Sequence, residues 1–161
     1  MKSLCVYCTR TGITENIAKT VAQGTGAEFV RITDGKSRKG ISGYLSICFD
    51  VIFKHFPELK PLKTEYPISE YERIIIAAPV WCEDLSFLAK LFLESHKDEF
   101  NCDIYIVATH MSGLSYEKKI KVLGKYSGEK KFGYLSLKTK GHDTSFETQE
   151  FINKLNKDVS K

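Results

Sequence analysis

The sequence predicts an α/β domain, a parallel sheet with helices packed on both of its faces. Three observations carry that prediction. Five short strand-like segments alternate with five segments of helical periodicity along the 161 residues. The third strand-like segment, 74–78, reads Ile-Ile-Ile-Ala-Ala, apolar at every position as a central strand buried on both faces should be. Hydrophobic residues make up 42% and charged residues 27% of the chain, which suits one globular domain over 1–161 rather than a disordered chain.

Residues 4–7 are a compact apolar strand. The turn-like run Thr9-Arg10-Thr11-Gly12 follows, and Ile13, Ile17, Ala18, Val21 and Ala22 then recur at helical spacing until Gly24 and Gly26 stop the helix. Residues 28–32 alternate and read as a second strand. A polar loop, 34–40, leads into 41–56, where Tyr44, Leu45, Cys48, Phe49, Ile52, Phe53 and Phe56 recur at three and four. That spacing predicts an amphipathic helix whose apolar face (Tyr44, Phe49, Phe53) is core, ended by Pro57 and Pro61. After the strand at 74–78, Phe87, Leu88, Leu91, Phe92 and Leu93 restore helical periodicity. Residues 104–108 form a fourth strand, a loop at 110–113 precedes a helix near 116–125, 132–137 is a fifth strand, and Phe146, Phe151, Ile152 and Leu155 mark a closing helix. Right-handed crossovers place such helices on both faces of the sheet. Ligands of open α/β sheets sit beyond the carboxyl ends of the strands, where the strand order reverses. The loops starting at Thr9, Pro79 and Thr109 are therefore the expected walls of a site.

The formal charge of +4 is a mild excess, and the densest basic stretch, Lys36-Ser37-Arg38-Lys39, is too short to establish a nucleic-acid surface. A solvated surface is the expectation. The longest apolar run, 74–80, falls far short of the ~20 residues that span a bilayer. The first residues lack a signal peptide's apolar core, so a cytoplasmic protein without a membrane span is expected. The five cysteines, Cys5, Cys8, Cys48, Cys82 and Cys102, are odd in number and irregular in spacing, which argues against a disulfide framework or a zinc site. Cys5 and Cys8 spell a CxxC, but residues three apart on a strand face opposite sides, so dithiol chemistry is not expected of them. A tyrosine-phosphatase loop needs Arg six positions after its Cys, where Thr11 and Thr14 stand. Gly35-Lys36-Ser37 resembles the tail of a Walker A loop, yet Val30 occupies the position of its first Gly. A receiver domain needs acidic residues where Cys8 and Thr9 end the first strand.

Thr9, Thr11 and Thr14 place three hydroxyls around Gly12 at the start of the first helix, with Arg10 and Ile13 in the same loop. A helix N-terminus presents unpaired N–H groups and about half a positive charge. Together these make a cradle for a phosphate monoester, with Gly12 letting the backbone come close. The plain alternative is a helix cap, which needs one such hydroxyl rather than three. Hydroxyl, any residue, Thr, Gly, any residue, Thr after a first strand resembles the phosphate loop of the flavodoxin family, and the alternating architecture extends the resemblance over essentially the whole chain.

That resemblance implies a flavodoxin-like three-layer sandwich with a five-stranded parallel sheet in the order 2-1-3-4-5, and FMN as cofactor. It implies that Pro79, Val80, Trp81 and Cys82 border the flavin ring, Trp81 stacking on it unless it is a core aromatic. Thr109, His110, Met111 and Gly113 would cover the ring from the next loop, with His110 either touching the ring or satisfied structurally. Cys82 falls near a position where many flavodoxins carry Gly, and a non-Gly residue there costs ~1–2 kcal/mol in a left-handed conformation. Glu83 and Asp84 read as first-turn residues of the following helix. The function implied is electron transfer between a reductase and an acceptor protein, by a monomer or weak dimer that binds no nucleic acid. The alternative is an NAD(P)H-dependent flavin or quinone reductase of the same fold. The lack of a dinucleotide fingerprint mildly favours the carrier, while the basic balance of the chain departs from the acidic one common among flavodoxins and raises that alternative.

Overall fold

Strands that are apolar on both faces must lie in the middle of a sheet covered twice, and the computed structural model, which describes residues 1–159, puts them there. The elements are β1 (Ser3–Tyr7), α1 (Ile13–Thr25), β2 (Glu28–Arg31), α2 (Gly40–Ile52), β3 (Arg73–Trp81), β4 (Asp84–Leu85), α3 (Phe87–Ser95), β5 (Asp103–His110), α4 (Glu117–Lys121), β6 (Phe132–Lys138) and α5 (Ser145–Val159). The sheet runs β2-β1-β3-β5-β6 with every neighbour parallel. The short β4 pairs antiparallel with β3 off this path. Set that two-residue strand aside and the order is the expected 2-1-3-4-5.

Side chains alternate between two cores, as the period of two along a strand requires. Leu4, Val6, Ile74, Ile76, Ile104 and Ile106 face one side, against Ile47 of α2, Phe92 and Leu93 of α3 and Ile120 of α4. Cys5, Tyr7, Ile75, Ala77, Tyr105 and Val107 face the other, against Ala18 and Val21 of α1 and Phe151, Ile152 and Leu155 of α5. Among the described residues no helix is long and apolar enough to cross a membrane.

Four expectations need correction. The third strand does not end at 78 but continues through Trp81 and folds back, Val80 opposite Leu85 and Trp81 opposite Asp84. The turn residues Cys82 and Glu83 both have positive φ, 49° and 63°, the backbone that a two-residue hairpin of matching twist demands. Neither is Gly or Asn, so composition carried no turn signal there, and Glu83 and Asp84 belong to this hairpin rather than to a helix. Second, α2 stops at Ile52 and its aromatic face is not core: Phe49 is 56% and Phe53 66% exposed. Its buried residues are Gly43, Ile47 and Asp50.

The third correction explains the second. Arg38, in the stretch read as solvated, is buried, and its guanidinium pairs with the buried carboxylates of Asp34 and Asp50. Burying that ion cluster turns the polar edge of α2 inward and its apolar stripe outward. Gly43 lets the helix lie directly on the Arg38 backbone, where a Cβ would sit 2.2 Å from the Arg38 carbonyl carbon. Fourth, Gly24 does not stop α1. It lies inside the helix, where an added Cβ would come within 2.8 Å of Ile152 on α5, and Gly26 (φ 63°) forms the C-cap.

Candidate functional site

The strand order reverses between β1 and β3, so the loops after β1, β3 and β5 meet at one end of the sheet. Two contacts show that they converge. The Thr14 hydroxyl in the first turn of α1 hydrogen-bonds the Thr109 hydroxyl at the end of β5 at 2.7 Å, across the end of β3. The Cys8 N–H donates to the Ala77 carbonyl at 3.1 Å and ties the start of the first loop to β3.

In the first loop, the three hydroxyls do different work. Thr9 Oγ1 accepts from the Gly12 N–H at 2.9 Å and shapes the turn. Thr14 is buried and engaged with Thr109. Thr11 is exposed, and among the described residues its hydroxyl has no partner. Gly12 is the N-cap at φ 90°, a conformation L-residues rarely adopt, and a Cβ there would meet nothing within 4 Å. No side chain caps α1, so the first-turn N–H groups of Ile13, Thr14 and Glu15 face the loop without an intrahelical acceptor. The one carboxylate of that turn, Glu15, accepts from the Tyr7 hydroxyl at 3.0 Å. Arg10 leans on α2: its Nη1 donates to the Gly40 carbonyl at 3.4 Å and its guanidinium lies 5.8 Å from the centre of the Tyr44 ring. Free N–H groups, an open hydroxyl and a nearby cation are the donor set a phosphate monoester needs.

At the end of β3, Pro79 and Val80 are half-buried and Cys82 is exposed. Trp81 is only 7% exposed, its ring 5.5 Å from that of Phe87 within the core. The expectation of an open indole face is therefore corrected, because the β3–β4 hairpin brings Phe87 back against the indole, which packs in the same core as Ile76 and Ala78. Lys119 of α4 donates to the Glu83 carbonyl and holds the turn.

After β5, Thr109 is buried, Met111 is 61% exposed and Gly113 lies open. His110 is satisfied on both ring nitrogens. Nδ1 lies 2.8 Å from the Ser112 carbonyl, which can only accept, so Nδ1 donates there, and Nε2 lies 3.1 Å from the Ser136 hydroxyl. The ring also meets Tyr116 edge-on at 4.9 Å. His110 shapes the loop, and its ring nitrogens are already taken up by the protein.

Several neighbours of the site escaped the sequence reading. Tyr44 and Cys48 belong to a helix face expected in the core, yet Tyr44 carries Arg10 and the Cys48 sulfur lies 4.0 Å from that of Cys82. Lys119 carries no motif at all. Cys5 and Cys8 are buried, and burial pushes both thiols up to about 12. A cleft of about 670 Å³ lies away from the site, between the 56–68 segment and the end of α3. Among the described residues no group of acidic, His or Cys side chains could hold a metal ion.

No protein-family model matches the chain, and no curated protein matches it. Solved structures do. A flavoprotein from Lactobacillus acidophilus, crystallised in complex with FMN, superposes with a TM-score of 0.65 at 19% identity, covering 84% of this chain and 92% of its own. The two-electron reduced flavodoxin of Megasphaera elsdenii gives 0.61 at 13% identity, covering 98% and 99%. A flavodoxin, WrbA-like protein from Agrobacterium tumefaciens gives 0.57 at 13% identity over 97% and 98%. With the sheet order, these likenesses identify the chain's fold as flavodoxin-like.

Proposed function

We propose that this chain binds FMN, with the phosphate in the β1–α1 cradle, and serves as an electron-transfer flavoprotein. The observation that carries the reading is the open, uncapped start of α1: Gly12 at positive φ, free first-turn N–H groups and the unpartnered Thr11 hydroxyl, all at the switch point of the sheet. The structural neighbours support it, since they include a flavoprotein crystallised with FMN and a flavodoxin.

Ile13, Thr14 and Glu15 would hold the phosphate through their N–H groups, Thr11 through its hydroxyl, and Arg10 would add positive charge from α2's side. Thr9 and Thr14 position this loop through their own hydrogen bonds. The backbone of Pro79, Val80, Trp81 and Cys82 would border one side of the ring, and Thr109, His110, Met111 and Gly113 the other. When bound, the flavin takes up and releases electrons, and the protein supplies binding, orientation and electrostatics. The exposed side chain of Tyr44 adjoins this rim through Arg10, and with the exposed Phe49 of the same helix it offers a surface for reductase and acceptor proteins.

Titration of the purified chain with FMN and with riboflavin, followed by flavin fluorescence, tests the cradle. FMN should bind at least tenfold more tightly, about 1.4 kcal/mol; equal affinities would overturn the reading. Adding NAD(P)H to the loaded protein separates carrier from reductase. A carrier stays yellow until a reductase is added, and rapid bleaching by NAD(P)H alone assigns the chain to the reductases.

A further inference from the structure

Cys48 on α2 and Cys82 in the β3–β4 turn hold their sulfurs 4.0 Å apart across 34 positions of sequence. The five thiols of the chain fall into two classes. Cys5, Cys8 and Cys102 are buried, and burial pushes them up to about 12, 12 and 11 respectively. Cys82 is exposed and Cys48 half-buried, so small molecules reach this pair and not the other three; partial desolvation and the neighbouring Cys48 raise the Cys82 thiol as well, so access rather than acidity separates the two classes. A disulfide bond is about 2.05 Å long. Closing the gap therefore takes about 2 Å of approach, shared between two sulfurs that each swing on a Cα–Cβ bond. Among the described residues no backbone hydrogen bond joins the two segments directly: α2 is anchored by Gly43, Ile47 and Asp50, and the turn by its hairpin and Lys119.

We propose that Cys48 and Cys82 form a reversible intrachain disulfide in exchange with low-molecular-weight disulfides such as oxidised glutathione. One cysteine thiolate attacks a sulfur of the small disulfide, forming a mixed disulfide and releasing one small thiol. The second cysteine, as thiolate, attacks the protein sulfur of that mixed bond and releases the second small thiol. Two protein thiols are oxidised and one small disulfide is reduced to two thiols, so atoms and electrons balance. The bond staples α2 to the turn that borders the candidate site, and its formation does not depend on flavin binding.

The test uses the full chain, reduced, freed of reductant and incubated with oxidised glutathione. Remaining thiols are alkylated after unfolding, and intact and peptide masses are read. The expected result is three alkylated cysteines, five less the linked two, with a non-reduced peptide joining Cys48 to Cys82 that dithiothreitol separates. Cys48→Ser and Cys82→Ser should each trap a stable glutathione adduct on the remaining cysteine. Five alkylatable thiols, separate glutathione adducts on the wild-type pair, or a link between two chains would each overturn the proposal. The wild-type masses decide it even if a variant fails to fold.

Discussion

Three threonines that look equivalent in sequence have three different jobs, and substitution separates them. Thr11 is exposed and holds nothing in the protein itself. Thr11→Val should leave thermal stability unchanged and weaken FMN binding by about 1–3 kcal/mol, the cost of losing a donor to a charged group. Fluorescence titration of FMN reads the affinity, and unchanged binding would place the phosphate elsewhere. Thr14 and Thr109 are 2% and 3% exposed and satisfy each other at 2.7 Å. Thr14→Val strands the Thr109 hydroxyl in a dry interior and should cost about 1–3 kcal/mol of stability in urea unfolding. The Thr14→Val/Thr109→Val double variant should cost clearly less than the sum of the two single ones, since no hydroxyl is then left unpaired. The spacing of the loop made all three threonines visible. It could not show that Thr14 turns inward over β3, because that contact is 95 positions distant in sequence. Trp81 is misplaced for a related reason: its packing partner Phe87 lies beyond the β3–β4 hairpin, whose turn residues carry no turn signal.

At the scale of elements, periodicity identified α2 but not which of its faces is inside. A helix with apolar residues on one stripe is read as burying that stripe. Here the Asp34–Arg38–Asp50 cluster reverses the choice, because Asp50 must follow its partner into the interior. Burial alone would push the Asp50 carboxyl up, but the hydrogen bonds from Arg38 and His55 and the charges of Arg38 and Lys36 outweigh it and hold the carboxyl below its ordinary 3.8. A carboxyl depressed in the folded state stabilises the fold above its unfolded pKa, and that stability is lost as pH falls through the folded value. Urea unfolding of the wild type should therefore show stability declining from about pH 5 downward. Asp50→Asn should cost about 3 kcal/mol at pH 7, the low end for breaking a buried pair, because Asp34 still faces Arg38. The same variant should show a shallower decline in acid, and an acid limb identical to the wild type's would remove Asp50 from the account. Phe49, Ile52 and Phe53 remain on the surface as a consequence of this anchoring.

For the whole molecule, topology was the most legible property. A strand apolar at every position has to be central and covered twice, which leaves few ways to arrange five strand–helix units. The same logic says what the molecule cannot do without. On one face, α1 and α5 cover Cys5, Ile75, Tyr105 and Val107. From α5, Phe151, Ile152 and Leu155 are buried, and the Leu155 carbonyl accepts from Nη1 of the buried Arg73 at 2.9 Å. The two helices lie close enough for Ile152 to fill the space a Cβ on Gly24 would need. Leu155→Ala should cost about 2–5 kcal/mol, the range for emptying a fully buried leucine site, and lower the urea midpoint without changing the slope. Removing residues 145–161 should do something different in kind. It uncovers half a sheet face and strips the Arg73 guanidinium of both its cover and the Leu155 carbonyl, so the remainder should retain helical circular dichroism yet lose a cooperative thermal transition and its aromatic near-ultraviolet signal. A truncated chain that still melted in one sharp step would show that α1 alone is cover enough for that face.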